Sequence, residues 1–550
     1  MAQQPIRRIY HNARIYTQNP AQPWAEALAL QGDTLTAVGS NAAILAQTDA
    51  DTLTVDLGGR LILPGLCDAH IHMYDWSLNL NRPDLAAAQS HAEMTARIGA
   101  YAASLSPEQW VVCQGWNESW WGETDFPTAA DLDAVTRPGQ PAIAYRSDLH
   151  IAVVNTAALQ RAAITPSTPN PPGGLIDHTP AGQPTGVLRE LAIGLVAQHI
   201  PPPTLAELRR DLLAAQATLH RLGITAVHDQ RMKDGNEGPL TLRSFAQLHE
   251  AGELTLHVNC NVAAHQLPTL AALGLQSGFG NDHLRLGHVK VFSDGSLGSR
   301  TAWMLAPFTP QAPGEPANYG VNVTPPDQMA AEFAEAVRLG FPVSVHAIGD
   351  RANRVVLDLL EALPPTLPPL PIPHRIEHVQ ILDPSDIVRL ARLNATASVQ
   401  PIHLVDDRAL SDRALGERAR HAYSFASLAA AGVRLVMGSD APVADPNPFR
   451  GILAAVARRA PGQSAWYPAE CLSLADTVRA YTLAAAVAGG WQDRIGALMP
   501  GKSADFIVLD RNLFELAADP QQVEAIADTQ VLLTVVDGLP VYHDPTAHLL

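Results

Sequence analysis

Two histidines two residues apart, His70 and His72, close the apolar run LPGLCDAHIH. On an extended strand, positions i and i+2 share a face, so both imidazoles address one point. Neutral imidazole is the commonest nitrogen ligand for a divalent metal. An isolated pair of this kind is as readily two polar residues at a strand end. Lys290 stands in LGHVKVF between Val289 and Val291. A bare ammonium there is costly unless it is paired or modified. One reading is an ion pair with Asp294. The other is that a neutral amine takes up CO2 and becomes a carbamate, an anion able to bridge two metals. His346 ends VSVHA, His378 lies in RIEHV and Asp440 ends VMGSD. Alone, each histidine is more often structural. Six potential ligands at the ends of five apolar runs, in this order, point to a metal centre.

Residues so placed need a frame that brings successive strand ends to one rim. Candidate strands lie at 63–72, 223–229, 254–261, 284–292, 341–347, 374–379, 395–401 and 433–440, with helical stretches such as TPPDQMAAEFAEAVRLG between them. This alternation predicts an α/β architecture, a (β/α)8 TIM-like barrel whose chemistry sits at the C-terminal ends of the strands. Both termini read as short strands and turns. ALALQGDTLTAVGS is a hairpin pattern, and DFIVLD and VLLTVVDGLPVYH have the same character. They predict one small β domain built from 1–64 and 491–550, around a barrel of 65–490. About 150 residues separate the first two candidate strands, too many for one helix and its loops. An insert at about 76–215 is therefore expected to cover the mouth.

Weaker candidates for substrate contact are Arg300, His403, and His150 and Asp148 in the insert. For Arg300 a structural salt bridge is an equal alternative. Trp120 and Trp121 belong to an aromatic cluster that either packs the cover or stacks on substrate.

The six residues, in their order, resemble the amidohydrolase superfamily: His-x-His on strand one, Lys on strand four, His on strands five and six, Asp on strand eight. The segments PPGGLIDHTPAGQPTGVLRE, VKVFSDGSLGSRTA, VSVHAIGDRAN, HRIEHVQIL and GSDAPVADPNP resemble the branch that contains N-substituted formamide deformylases. The ends, including RIGALMPGKSADFIVLD, resemble that family's small β-sandwich. The resemblance implies a metal-bound hydroxide cutting an amide-type C–N bond. It implies His70, His72, Lys290, His346, His378 and Asp440 as metal ligands, with Asp440 as the catalytic proton carrier. The metals implied are two zinc ions, with manganese, iron or cobalt as substitutes, and a CO2-derived carbamate on Lys290. Deaminases of the superfamily resemble this pattern with a Glu after the strand-five histidine. HAIGD has none. Cyclic amide, carbamate or ester hydrolysis and deamination stay open as alternatives, as does a non-catalytic barrel that binds without turnover.

Composition narrows the partners. Of 550 residues, 47% are hydrophobic and 17% charged, a globular balance. A formal charge of −17 speaks against nucleic acid and leaves a small molecule as the expected partner. A homodimer stays open. No run of about 18 apolar residues predicts a membrane span. The four cysteines form no CxxC pair and, with no signal-like start, predict a reducing cytoplasm.

Overall fold

The computed structural model describes residues 7–122, 125–232, 235–309 and 316–549. Eight parallel strands follow one another around a barrel. They are β1 (Leu66–Ile71), β2 (Ile224–Asp229), β3 (His257–Ala263), β4 (Leu284–Phe292), β5 (Val343–Ala347), β6 (Arg375–His378), β7 (Thr396–Val399) and β8 (Arg434–Met437). Most are buried on both faces, as parallel strands covered by helices must be. The ring closes between β8 and β1 beyond the ladder. Asp440 N donates to His70 O at 2.6 Å and His72 N to Ala441 O at 2.8 Å. The buried carboxylate of Asp68 on β1 accepts from Ser439 N at 3.0 Å, fixing the loop that carries Asp440.

Both chain ends form two facing sheets. One pairs Arg7–His11, Ala27–Gln31, Thr34–Gly39 and Leu53–Asp56; the other joins Leu61–Pro64 to Phe506–Leu509 and Val531–Val536. Tyr10, Leu28 and Leu35 of the first meet Ile62, Phe506 and Leu533 of the second in a shared core, a β-sandwich. The predicted hairpin is there, turning at Gly32 with φ +64°.

The sandwich is tied to the N-terminal end of the barrel by histidines. His257, first residue of β3, lies 2.7 Å from Asp505, and His283 lies 2.7 Å from Asp537. Burial works against charging His257, but Asp505 and Asp537 outweigh it and raise its pKa to about 9. A histidine raised in the folded state contributes stability below its unfolded value near 6.5, and that stability is lost as pH rises through 9. The expected size is on the order of 3 kcal/mol. Thermal unfolding at pH 6 and pH 9.5 checks it: the fall in Tm should be smaller in His257→Gln. An equal fall in both proteins places the pH sensitivity elsewhere.

The insert has its own five-stranded sheet, from Val111–Trp116 to Pro184–Glu190, with apolar clusters on both faces. Its expected C-terminal limit near 215 runs into helix α2 (Leu205–Arg221). Leu208, Leu212 and Leu219 of that helix pack into the barrel core, so the cover proper ends before α2. Gln114 braces the insert. Its Nε2 donates to Pro442 O at 3.2 Å, and its Oε1 accepts from Asn79 of helix α1 (Met73–Asn79). No helix among the described residues is long and apolar enough to cross a membrane.

Candidate active site

The barrel brings the predicted residues to one rim. His70 Nε2 lies 3.2 Å and His72 Nε2 3.3 Å from Asp440 Oδ1. The rings of His70 and His378 are 5.0 Å apart, and those of His346 and His378 are 4.5 Å apart. His70, His378 and Asp440 present ligand atoms within 4.8 Å of one another. Lys290, on β4, is buried, with Nζ 4.8 Å from the Phe292 ring centroid. Its charge acts on His72, His346 and His378. Asp294, its alternative partner in the sequence, receives the backbone N–H groups of Ile348, Gly349 and Trp303 at 2.8–3.0 Å. It anchors the loop after β5.

Each imidazole is aimed by a partner behind it. His70 Nδ1 donates to Glu377 Oε2 at 2.6 Å, His378 Nδ1 to Gln400 Oε1 at 2.8 Å, and His346 Nε2 to Gly295 O at 3.0 Å. These bonds select the tautomers and turn the opposite nitrogens toward the centre. His70 Nε2 is buried and forms no hydrogen bond. Burial first, then neighbouring histidines and Lys290, hold His346 and His378 well below the usual imidazole range. Burial likewise takes His72 to about 4, so these rings are neutral donors. For Asp440, burial pushes upward, but His70, His72 and His378 hold its carboxyl well below the usual range. Asp440 and His378 have φ of +61° and +73°. Such left-handed backbone at non-glycine residues costs about 1–3 kcal/mol and persists where surrounding contacts fix it.

Under the rim lies a buried polar layer that the sequence reading did not single out. Arg375 Nε donates to Glu377 Oε1 at 2.5 Å, and its Nη2 donates to Ala69 O at 2.6 Å and Ser398 Oγ at 2.7 Å. Arg375 and Glu377 alternate on β6, so both point into the barrel. The signal was present in RIEH: two opposite charges at i and i+2 in a strand with both faces covered.

A pocket of about 80 Å³ sits over the rim, bounded by His346, His378, Asp440 and the insert. His150 and Asp148 reach it from the insert. His150 is 5.3 Å from His346, ring to ring, and its Nδ1 meets Glu190 at 2.9 Å. Asp148 accepts from Arg146 Nη1 at 2.9 Å and from Ser296 Oγ at 2.7 Å. Gly298 permits this approach, since a Cβ there would lie 2.6 Å from Arg146 Nη1. His403 also lines the pocket, with Nε2 4.0 Å from Asp440 Oδ2. It stands on helix α3 (Pro401–Leu415), whose residues 403, 406, 407 and 410 present one face to the site. Asp406 and Asp407 were missed because a charged i, i+3, i+4 pattern reads as a solvated helix face. Trp120 lines the pocket and is 42% exposed. Trp121 does not. Its indole N–H donates to Ala88 O at 2.7 Å and its ring packs against the insert's core. Arg300 also lies outside the pocket lining, at φ +55° in the turn after β4, where its carbonyl accepts from Asn318 at 3.1 Å.

The profile of the amidohydrolase family matches residues 53–542. The protein LONG AFTER FAR-RED 3 of Arabidopsis thaliana is 32% identical over 540 residues, which is 96% of this chain and 91% of that one. An N-substituted formamide deformylase of Arthrobacter pascens is 27% identical over 548 residues, 96% of this chain and 97% of its own. The crystal structure of an uncharacterized metal-dependent hydrolase from Pyrococcus horikoshii superposes with a TM-score of 0.73 at 27% identity, covering 92% of this chain and 98% of the other.

Proposed function

This chain belongs to the amidohydrolase family, and from that premise we propose that it is a metal-dependent hydrolase of N-substituted amides with a small acyl group. The donor set fits a divalent metal: neutral imidazoles aimed by partners behind them, one ionised carboxylate, and a buried His70 Nε2 without a hydrogen bond. His70, His72, His346, His378, Asp440 and a carbamate on Lys290 would hold two ions. When bound, the metal supplies Lewis acidity, making water a nucleophile near neutral pH and polarising a carbonyl. Asp440 accepts the proton released by the attacking water and passes it to the departing nitrogen, without which an amine leaves poorly. A carbamate in place of the Lys290 ammonium removes a positive charge from among three imidazoles that would otherwise bind a cation beside it.

One observation carries the substrate class. The pocket over the rim has about 80 Å³, and it shares Trp120, Asp406 and Val443 with a chamber of about 870 Å³. A formyl or acetyl group suits the inner pocket, and an apolar N-substituent suits the outer chamber. The deformylase relative acts, by its name, on N-substituted formamides, which agrees. The experiment is a series of acyl groups on one amine. The kcat/KM should fall at least tenfold from formyl and acetyl to benzoyl, and charged N-acyl amino acids and cyclic ureides should be poorer still. Trp120→Ala should change the ranking and Trp121→Ala should not. Equal rates for benzoyl, or a preference for cyclic ureides, would remove this reading.

A further inference from the structure

The wall common to the inner pocket and the chamber, here called the neck, has a chemistry of its own. Trp120, Asp406 and Val443 line both the inner pocket and the chamber. A carboxyl group and an exposed indole that line the same two cavities both attract a cation, one by charge and one by its ring face. Asp407, next to Asp406, is already engaged by Gln380 Nε2 at 2.9 Å and the Tyr423 hydroxyl at 2.6 Å. Burial first, then Asp407, raise the Asp406 carboxyl to about 7 against the lowering pull of Arg450, so a cation arriving beside it would also favour its ionised form. Arg450 is itself paired with Asp445 at 3.0 Å, and Arg459 on the chamber wall is paired with Glu524 at 3.2 Å. What remains on the wall is three carboxylates, Asp84, Asp406 and Asp528, against the single guanidinium of Arg82. The chain's formal charge of −17 favours cations at longer range as well.

We propose that the substrate's N-substituent is an apolar stem ending in a cationic group, an ammonium or amidinium, which Asp406 and Trp120 select at the neck of the chamber. This rests on the amide-hydrolase reading for the position of the scissile bond, and on the neck alone for the charge. Val443 and Trp120 cover the stem, and the carboxylate takes the charged end. Anionic N-substituents are disfavoured by the same wall, unlike in a site built for N-acyl amino acids.

The test uses two stems of equal length, one derived from 1,5-diaminopentane and one from hexylamine. Their methanesulfonamides, which lack a hydrolysable carbonyl, are titrated calorimetrically into the metal-loaded protein. Their N-formyl counterparts are assayed for kcat/KM. The cationic member should bind about tenfold more tightly at low salt. That ratio should shrink at high salt and approach one in Asp406→Asn, which keeps the side chain's shape and removes its charge. Equal binding of the two stems, tighter binding of the neutral one, or an unchanged ratio in Asp406→Asn overturns the proposal. Selective binding of the cationic stem without hydrolysis of either formamide would leave this inference standing and remove the amide-hydrolase reading instead.

Discussion

Asp440→Asn should lower kcat by about 10³-fold, within the range that loss of a positioned acid–base group produces. The amide has the shape of the carboxylate but cannot accept a proton and brings no negative charge. In the native site that charge lies 3.2–3.3 Å from two imidazoles. Its carboxyl is held well below the usual carboxylate range despite burial, so it is available as an acceptor at neutral pH. Metal content must be measured on the same sample, because Asp440 is also a proposed ligand. A variant that keeps its metal and loses turnover isolates the proton-transfer role. A variant that keeps its metal and a near-native kcat shows that another group moves the proton, and His403, 4.0 Å away, is then the first to examine.

Lys290→Met should reduce bound metal from two ions to one per chain and lower kcat by about 10²–10³-fold, as loss of one half of a two-metal clamp implies. Methionine nearly fills the lysine's volume, so packing against Phe292 is kept. The native protein, incubated with 13C-bicarbonate, should show a carbamate carbon resonance that the variant lacks. Absence of that resonance from the active native protein would return Lys290 to an ammonium and leave at most a one-metal site.

The fold was legible because a parallel barrel has a loud pattern. Eight apolar runs separated by helical stretches each hold one barrel strand, the first also holding the end of the sandwich strand Leu61–Pro64, and the ends of those runs became the rim. His346 and His378 could be placed from sequence since each ends such a run. The insert was legible as excess length, but its limit was not. Helix α2 carries the same amphipathic pattern whether it packs on the barrel or on the cover, and only Leu208, Leu212 and Leu219 in the barrel core decide it. Arg300, in GSLGSRTA, read equally as a substrate contact or a structural cation; its main chain lies in the left-handed region and it does not line the pocket. Trp120 and Trp121 are adjacent, yet a helix turns successive side chains about 100° apart. One therefore faces the pocket and the other the insert's core. Glu190, which orients His150 from 40 residues away, gives no local signal at all.

The central claim is that the rim holds the metal. Crystals grown with zinc and measured on both sides of the zinc absorption edge test it most directly. Two anomalous peaks are expected at the C-terminal mouth, within coordination distance of His70, His72 and Asp440 and of Lys290, His346 and His378. The chain offers another set of metal-capable groups at the opposite end of the barrel, His257, Asp505 and Asp537. Anomalous density there with none at the rim, or none at either place in an active protein, would contradict the account.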